Sequence, residues 1–140
     1  PYMSPEPFDD EFTVETLAES FSGKKAPVKA LLLEQGIACG LGNLYADESL
    51  FLAGIHPERP ATELSVNEVA RLRQSIIDAL SAAYGVYDRS REQHWPDPPT
   101  ALTTWSHPRD TKSPCPNCET YMTAIRVRAR GTYFCSKCQT

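Results

Sequence analysis

The stretch Cys115-Pro-Asn-Cys118-Glu-Thr-Tyr-Met-Thr-Ala-Ile-Arg-Val-Arg-Ala-Arg-Gly-Thr-Tyr-Phe-Cys135-Ser-Lys-Cys138 decides how the rest of the chain is read. Two C-x-x-C pairs stand sixteen residues apart. Each pair can aim two thiolates at one ion, and a hairpin that brings the second pair back to the first completes a tetrahedron of soft sulfur ligands, the set Zn2+ prefers. Cys115, Cys118, Cys135 and Cys138 are therefore the expected ligands of one zinc ion. Four thiolates fill its shell and leave no position for water or substrate, so the ion is structural, and its binding energy is folding energy for a segment too small to fold alone. The competing readings are two disulfides or redox-active C-x-x-C motifs. Neither a secretory signal nor a thioredoxin-like βαβ pattern supports them. Cys39, the fifth cysteine, sits among apolar and glycine residues and reads as a small buried hydrophobe, not a ligand.

Between the cysteine pairs, Thr123 to Arg130 mixes β-branched and arginine residues, and Gly131 interrupts the run before Thr132-Tyr133-Phe134, which predicts a hairpin. Arg126, Arg128 and Arg130 alternate and share one face if the strand runs unbroken to Gly131. Three guanidinium groups in line suit a row of phosphates, although a solvated strand face would look the same.

Upstream the periodicity is helical. Val14, Leu17, Ala18 and Phe21 predict a short amphipathic helix, with Thr13 or Asp10 as cap and Ser22-Gly23 as stop. A second comes after Pro27, with Val28, Leu31, Leu32 and Leu33 apolar and Gly36 as its end. Gly36 to Asn43 holds three glycines and reads as a turn. A third helix starts at Leu44 and ends at Gly54 and His56-Pro57. Ser65-Val-Asn-Glu68 is a capping box that opens a fourth helix, running to about Tyr84-Gly85. Beyond it, Pro96, Pro98, Pro99, Pro108 and Pro114 mark an extended linker. The expected division is residues 1–85 as a helical domain, 86–111 as an irregular Pro-rich linker and 112–140 as a four-cysteine zinc finger.

The chain has 140 residues, enough for one ordinary domain or two small ones. A net charge of −4 argues by itself against a nucleic-acid partner, but the average conceals an asymmetry. Residues 1–23 hold six acids and no Lys or Arg, so the remainder carries a net +2, and Arg109 to Thr140 has six basic residues against two acidic ones. No apolar run approaches the roughly 18 residues of a membrane span, and the start lacks a secretory signal, so a soluble intracellular chain with no membrane partner is expected.

Gly40-Leu41-Gly42-Asn43 ahead of a helix collects backbone N–H groups at the positive end of a helix dipole, which is an anion site. Asn43 can add a donor and Lys29, on the preceding helix, a charge. Glycine in this setting is also the ordinary solution to a tight corner.

Four segments together resemble the C-terminal half of the formamidopyrimidine-DNA glycosylase / endonuclease VIII family: Lys29 to Gln35, Gly40-Leu-Gly-Asn43-Leu-Tyr-Ala-Asp-Glu48-Ser-Leu-Phe, Ala53-Gly-Ile-His-Pro57 and Arg130-Gly-Thr-Tyr-Phe-Cys135-Ser-Lys-Cys-Gln139. The likeness covers about residues 5–85 and 112–140. It implies a mainly α fold, a helix-two-turns-helix bundle followed by a small zinc-bound β-hairpin finger, gripping damaged duplex DNA. Lys29, Asn43 in the turn begun by Gly42, and Arg130 at the hairpin tip would hold phosphates beside the lesion, with Arg128 alongside. Family members excise oxidised bases and cleave the abasic strand through an N-terminal proline amine and an adjacent Glu. Here Pro1 is followed by Tyr2, with no Pro-Glu and β-sandwich, so Pro1 is not that nucleophile. The chain alone is expected to be inactive, working with a catalytic N-terminal domain in cis or in trans. Residues 86–111 also depart from the family's lesion-capping loop. The alternative is a non-enzymatic nucleic-acid-binding subunit of a larger particle such as a ribosome, with RNA as partner.

Overall fold

The computed structural model describes residues 12–34, 42–92 and 107–140, and of residues 82–92 the backbone alone. Its elements are α1 (Val14–Phe21), α2 (Val28–Leu33), α3 (Asn43–Ala53), a 3-10 turn (Ala61–Glu63), α4 (Val66–Glu92), β1 (Thr123–Val127) and β2 (Arg130–Phe134).

Local chemistry sets most helix ends. Thr13 caps α1 in a reciprocal box with Thr16, and the chain leaves the helix through Ser22 and the left-handed Gly23, φ 72°. The first amides of α2 are taken from outside the helix: Val28 N–H donates to the Arg59 carbonyl and Lys29 N–H to that of Pro57. Gly54 closes α3 in the left-handed conformation, φ 74°. Ser65 and Glu68 cap α4 reciprocally, and Arg59 grips the same Glu68 carboxylate at 2.9 and 3.1 Å.

The apolar faces of the four helices close one core around Phe12, Leu17, Phe21, Val28, Leu31, Leu32, Leu50, Ile55, Leu72, Ile76 and Leu80. Helix α3 lies at its centre. It packs on α2 and α4 and also on β2 of the finger, so Ala46 to Phe51 are all buried, including the polar Asp47, Glu48 and Ser49. The finger forms a second cluster from Cys115, Met122 and Cys135 against Phe51 of the same helix.

Several boundaries differ from the sequence reading. Helix α4 continues past Gly85 to Glu92, because a glycine only weakens a helix interior. The expected linker therefore begins as helix, and its other end is ordered too: His107 is buried and Arg109 half-buried. Residues 93–106 lie outside the described residues, as do Gly36, Cys39, Gly40, Leu41 and residues 1–11. Helix α3 starts at Asn43, one residue before Leu44.

The hairpin differs most. Val127 pairs with Arg130 and Arg126 with Gly131, so the chain reverses over Arg128-Ala129 and Gly131 lies inside β2. Arg128 and Ala129 have φ of 51° and 69°, the two positive angles a type I′ turn demands. The three arginines are thus not on one face. Directly paired residues share a side of the ribbon, which puts Arg126 with Gly131 and Arg130 on the opposite side, while Arg128 sits in the turn.

Candidate nucleic-acid interface

The four cysteine sulfurs all lie within 4.8 Å of one another, with Cys118–Cys135 at 3.4 Å and Cys115–Cys138 at 3.9 Å. A tetrahedron with Zn–S bonds of about 2.3 Å has edges of about 3.8 Å, so the donor set fits zinc, whereas a disulfide would need about 2.05 Å. Asn117 N–H donates to Cys115 Sγ and Cys138 N–H to Cys135 Sγ, as expected of sulfurs that carry charge. The four sulfurs of Cys115, Cys118, Cys135 and Cys138 thus form a site for one structural zinc ion.

Without the ion the cluster cannot ionise evenly. A hydrogen bond from Thr120 draws the Cys118 thiol down to about 6, while the hydrogen bond shared with Cys118 pushes Cys138 up to about 12 and burial raises Cys135. Only a cation among them lets all four be thiolates together.

The finger is seated on the helical domain at three places. At its C-terminal end, Gln139 is buried; its amide donates to the Ile55 carbonyl and accepts from the Cys135 N–H. Beside it, Thr140 N–H donates to the Gly54 carbonyl, and the Thr140 carbonyl accepts from His56 N–H and from Arg59. In the middle, His107 Nδ1 donates to Glu48 Oε1 at 2.8 Å and its ring stacks on Phe51, centroids 5.0 Å apart.

At the hairpin tip, Lys29 Nζ lies 2.7 Å from Asp47 Oδ1 and donates to the Gly131 carbonyl at 3.1 Å and to Thr132 Oγ1 at 2.7 Å. One ion pair and two hydrogen bonds thus engage the buried ammonium. Burial pulls the Lys29 pKa below its ordinary value, and the Asp47 hydrogen bond works against that shift. Asp47 Oδ2 accepts from Arg109 at 2.7 Å and from the Tyr133 N–H at 3.1 Å, and the Arg109 guanidinium lies 4.8 Å from the Tyr133 ring centre. Asn43, at the N-terminus of α3, donates Nδ2 to the same Gly131 carbonyl at 3.1 Å.

The predicted binding residues therefore divide. Asn43 meets the hairpin tip at the carbonyl of Gly131, the residue that follows Arg130, and the Arg130 side chain is exposed. Gly42 is the exposed N-cap of α3 and leaves that helix end open. Arg128 is exposed in the turn. Lys29 is corrected: it is fully buried, and its ammonium is spent on Asp47, Gly131 and Thr132, so its charge joins two structural units and does not face solvent. Asp47, Glu48, His107, Arg109, Thr132 and Gln139 were given no site role from the sequence. The available clue was Asp47-Glu48-Ser49, three polar residues in the middle of a helix flanked by apolar positions, which a second packing surface would explain.

The family described as the formamidopyrimidine-DNA glycosylase H2TH domain matches residues 3–92, and the zinc finger found in FPG and IleRS matches residues 112–140. A formamidopyrimidine-DNA glycosylase of Roseiflexus sp. (strain RS-1) is 41% identical over 138 residues, 96% of this chain and 50% of that protein. The MutM (Fpg) crystal structure from Thermus thermophilus superposes with a TM-score of 0.86 at 35% identity, covering 98% of this chain and 53% of its own. The Fpg of Lactococcus lactis, non-covalently bound to DNA containing an AP site, gives 0.87 at 31% identity, covering 99% and 50%. The chain spans about half the length of the relatives it matches. With its helical unit and its zinc finger both matched, the chain belongs to the formamidopyrimidine-DNA glycosylase family.

Proposed function

We propose that this chain is the damaged-DNA-binding half of a base-excision-repair DNA glycosylase/AP lyase, gripping the phosphates around a lesion while a catalytic domain, in the same polypeptide or a partner, performs the chemistry. The observation that carries this is the Asn43–Gly131 hydrogen bond of 3.1 Å. It sets the amide end of α3 beside Arg130, so a helix dipole, an amide side chain and a guanidinium converge where one sugar-phosphate chain can run. The relative solved with AP-site DNA supports duplex DNA as partner, and with DNA as partner the protein would work inside the cell. Arg130, Asn43 and the Gly42 helix end touch phosphate, Arg128 lies at the edge of the grip, and Lys29 acts from behind it.

The direct test is binding of the 140-residue chain, with zinc, to three duplexes: DNA carrying a tetrahydrofuran abasic analogue, undamaged DNA of the same sequence, and RNA. Tighter binding to the abasic DNA, with affinity falling as salt rises, is the expected result. Absence of DNA binding, or preference for RNA, overturns the reading.

A further inference from the structure

The side chains of α3 that meet the finger are spaced to match a strand. Asn43 and Asp47 stand four residues apart, hence on one face with an axial separation of about 6 Å. Their partners on β2, the Gly131 carbonyl and the Tyr133 N–H, belong to residues two apart and so point from the same edge of the strand. The helix thus offers β2 one donor and one acceptor at strand spacing, in place of a third strand. A one-residue slip of β2 would break both bonds and turn Arg130 to the other side of the ribbon.

Asp47 is the centre of this arrangement. It is 1% exposed, and its carboxylate gathers Lys29, Arg109 and the Tyr133 N–H. Lys29 continues the chain to the Gly131 carbonyl and to Thr132, whose hydroxyl donates to the Arg130 carbonyl at 3.0 Å. Both peptide groups flanking Gly131 are tied, through one or two links, to a single carboxylate. We propose that Asp47 is the positioning residue of the phosphate grip, holding the register of β2 against α3 so that Arg130 and Asn43 engage the same backbone. This rests on the proposed function.

The test compares Asp47→Asn, Arg130→Ala and the double variant, each in the full chain with zinc content measured, on abasic duplex DNA across a salt series. Asparagine keeps the shape but turns an NH2 group toward donors. Asp47→Asn is expected to bind roughly tenfold more weakly and to lose about one unit of the log–log salt slope, the signature of one lost phosphate contact. Arg130→Ala added to it is expected to weaken binding less than about twofold further, since the arginine is already misplaced.

A zinc-loaded Asp47→Asn that keeps the full slope, and in which Arg130→Ala keeps its full effect, overturns the inference. If Asp47→Asn does not retain zinc, Lys29→Met with Asp47→Leu, which replaces the buried pair by apolar groups of similar size, carries the same comparison. Zinc loss in that variant too assigns Asp47 to folding alone and overturns the inference. Should the unaltered chain not bind abasic DNA, the proposed function fails instead; if it binds and responds to Arg130→Ala but not to Asp47→Asn, only the positioning role fails.

Discussion

Asn43 Nδ2 reaches across 88 residues of sequence to the Gly131 carbonyl, 3.1 Å away, and with that bond the first residue of α3 and the tip of the finger become one surface. Asn43 is half-buried, so its amide is held in place before any partner arrives. Asn43→Ala removes the donor and leaves the Gly131 carbonyl to Lys29 alone. Affinity for abasic duplex is expected to fall by about 1–2 kcal/mol, the range of a hydrogen bond to a charged group. Equilibrium titration beside a zinc assay checks it, and a loss of zinc would relocate the effect to folding.

The arginines of the hairpin are expected to be unequal. Arg130→Ala should reduce the salt slope of binding by about one unit, equally for unrelated sequences, because a phosphate contact carries no sequence information. Arg126 lies on the other side of the ribbon and donates to the Ala129 carbonyl at 2.8 Å, so Arg126→Ala should loosen the turn while leaving the slope unchanged. Equal slopes for the two variants would contradict the hairpin geometry.

Zinc uptake must displace protons, since Cys138 is pushed up to about 12 and Cys135 is raised while Cys118 is drawn down to about 6. Affinity for the ion should therefore fall as pH falls, and binding near neutrality should release protons measurable by calorimetry in buffers of different ionisation enthalpy. Chelation should free β1 and β2 from α3 while most helical circular dichroism persists, because the core around Leu50 and Leu72 contains no cysteine among its described members. Helical signal lost in step with zinc would argue against two separable clusters.

Two backbone positions predict opposite stability changes. Ala129 holds φ 69° without glycine's freedom, so Ala129→Gly should stabilise the finger by about 1 kcal/mol. Gly54 holds φ 74° and an added Cβ would lie 3.4 Å from the Cys138 carbonyl, so Gly54→Ala should destabilise by at least about 1 kcal/mol and weaken the seat of the finger. Thermal unfolding of zinc-loaded protein distinguishes them.

Glu68 closes the α4 capping box and receives Arg59, whose bond holds its carboxyl below the ordinary glutamate value of 4.5. A depressed folded-state pKa contributes stability that is present above the unfolded value and lost as pH falls through the folded one. Stability should thus decline below about pH 4.5, and Glu68→Gln should remove part of that decline, at a cost of about 1–2 kcal/mol near neutral pH. Denaturant midpoints across pH measure both.

Local chemistry made much of this legible in the chain itself. Thr13, Ser65 and Gly54 announce helix ends through bonds to their own neighbours, and the two C-x-x-C pairs declare a metal because the geometry of each is closed within four residues. Asn43 and Arg130 could be singled out by the resemblance of their surroundings. The turn at Arg128-Ala129 could not, since neither residue favours positive φ and Gly131 stood nearby as the more obvious break.

What only the tertiary structure decided is how the two halves face each other. Lys29, Asp47 and Arg109 look like three unrelated charges along the sequence, and an exposed role was the natural reading of the lysine. Folding brings them within 2.7 Å contacts, where burial makes an unpaired charge so costly that each must be answered by the others. The amino-acid order determined which helices form and which sulfurs gather for zinc; long-range desolvation decided that the lysine joins a buried ion cluster with Asp47 and Arg109 instead of facing solvent.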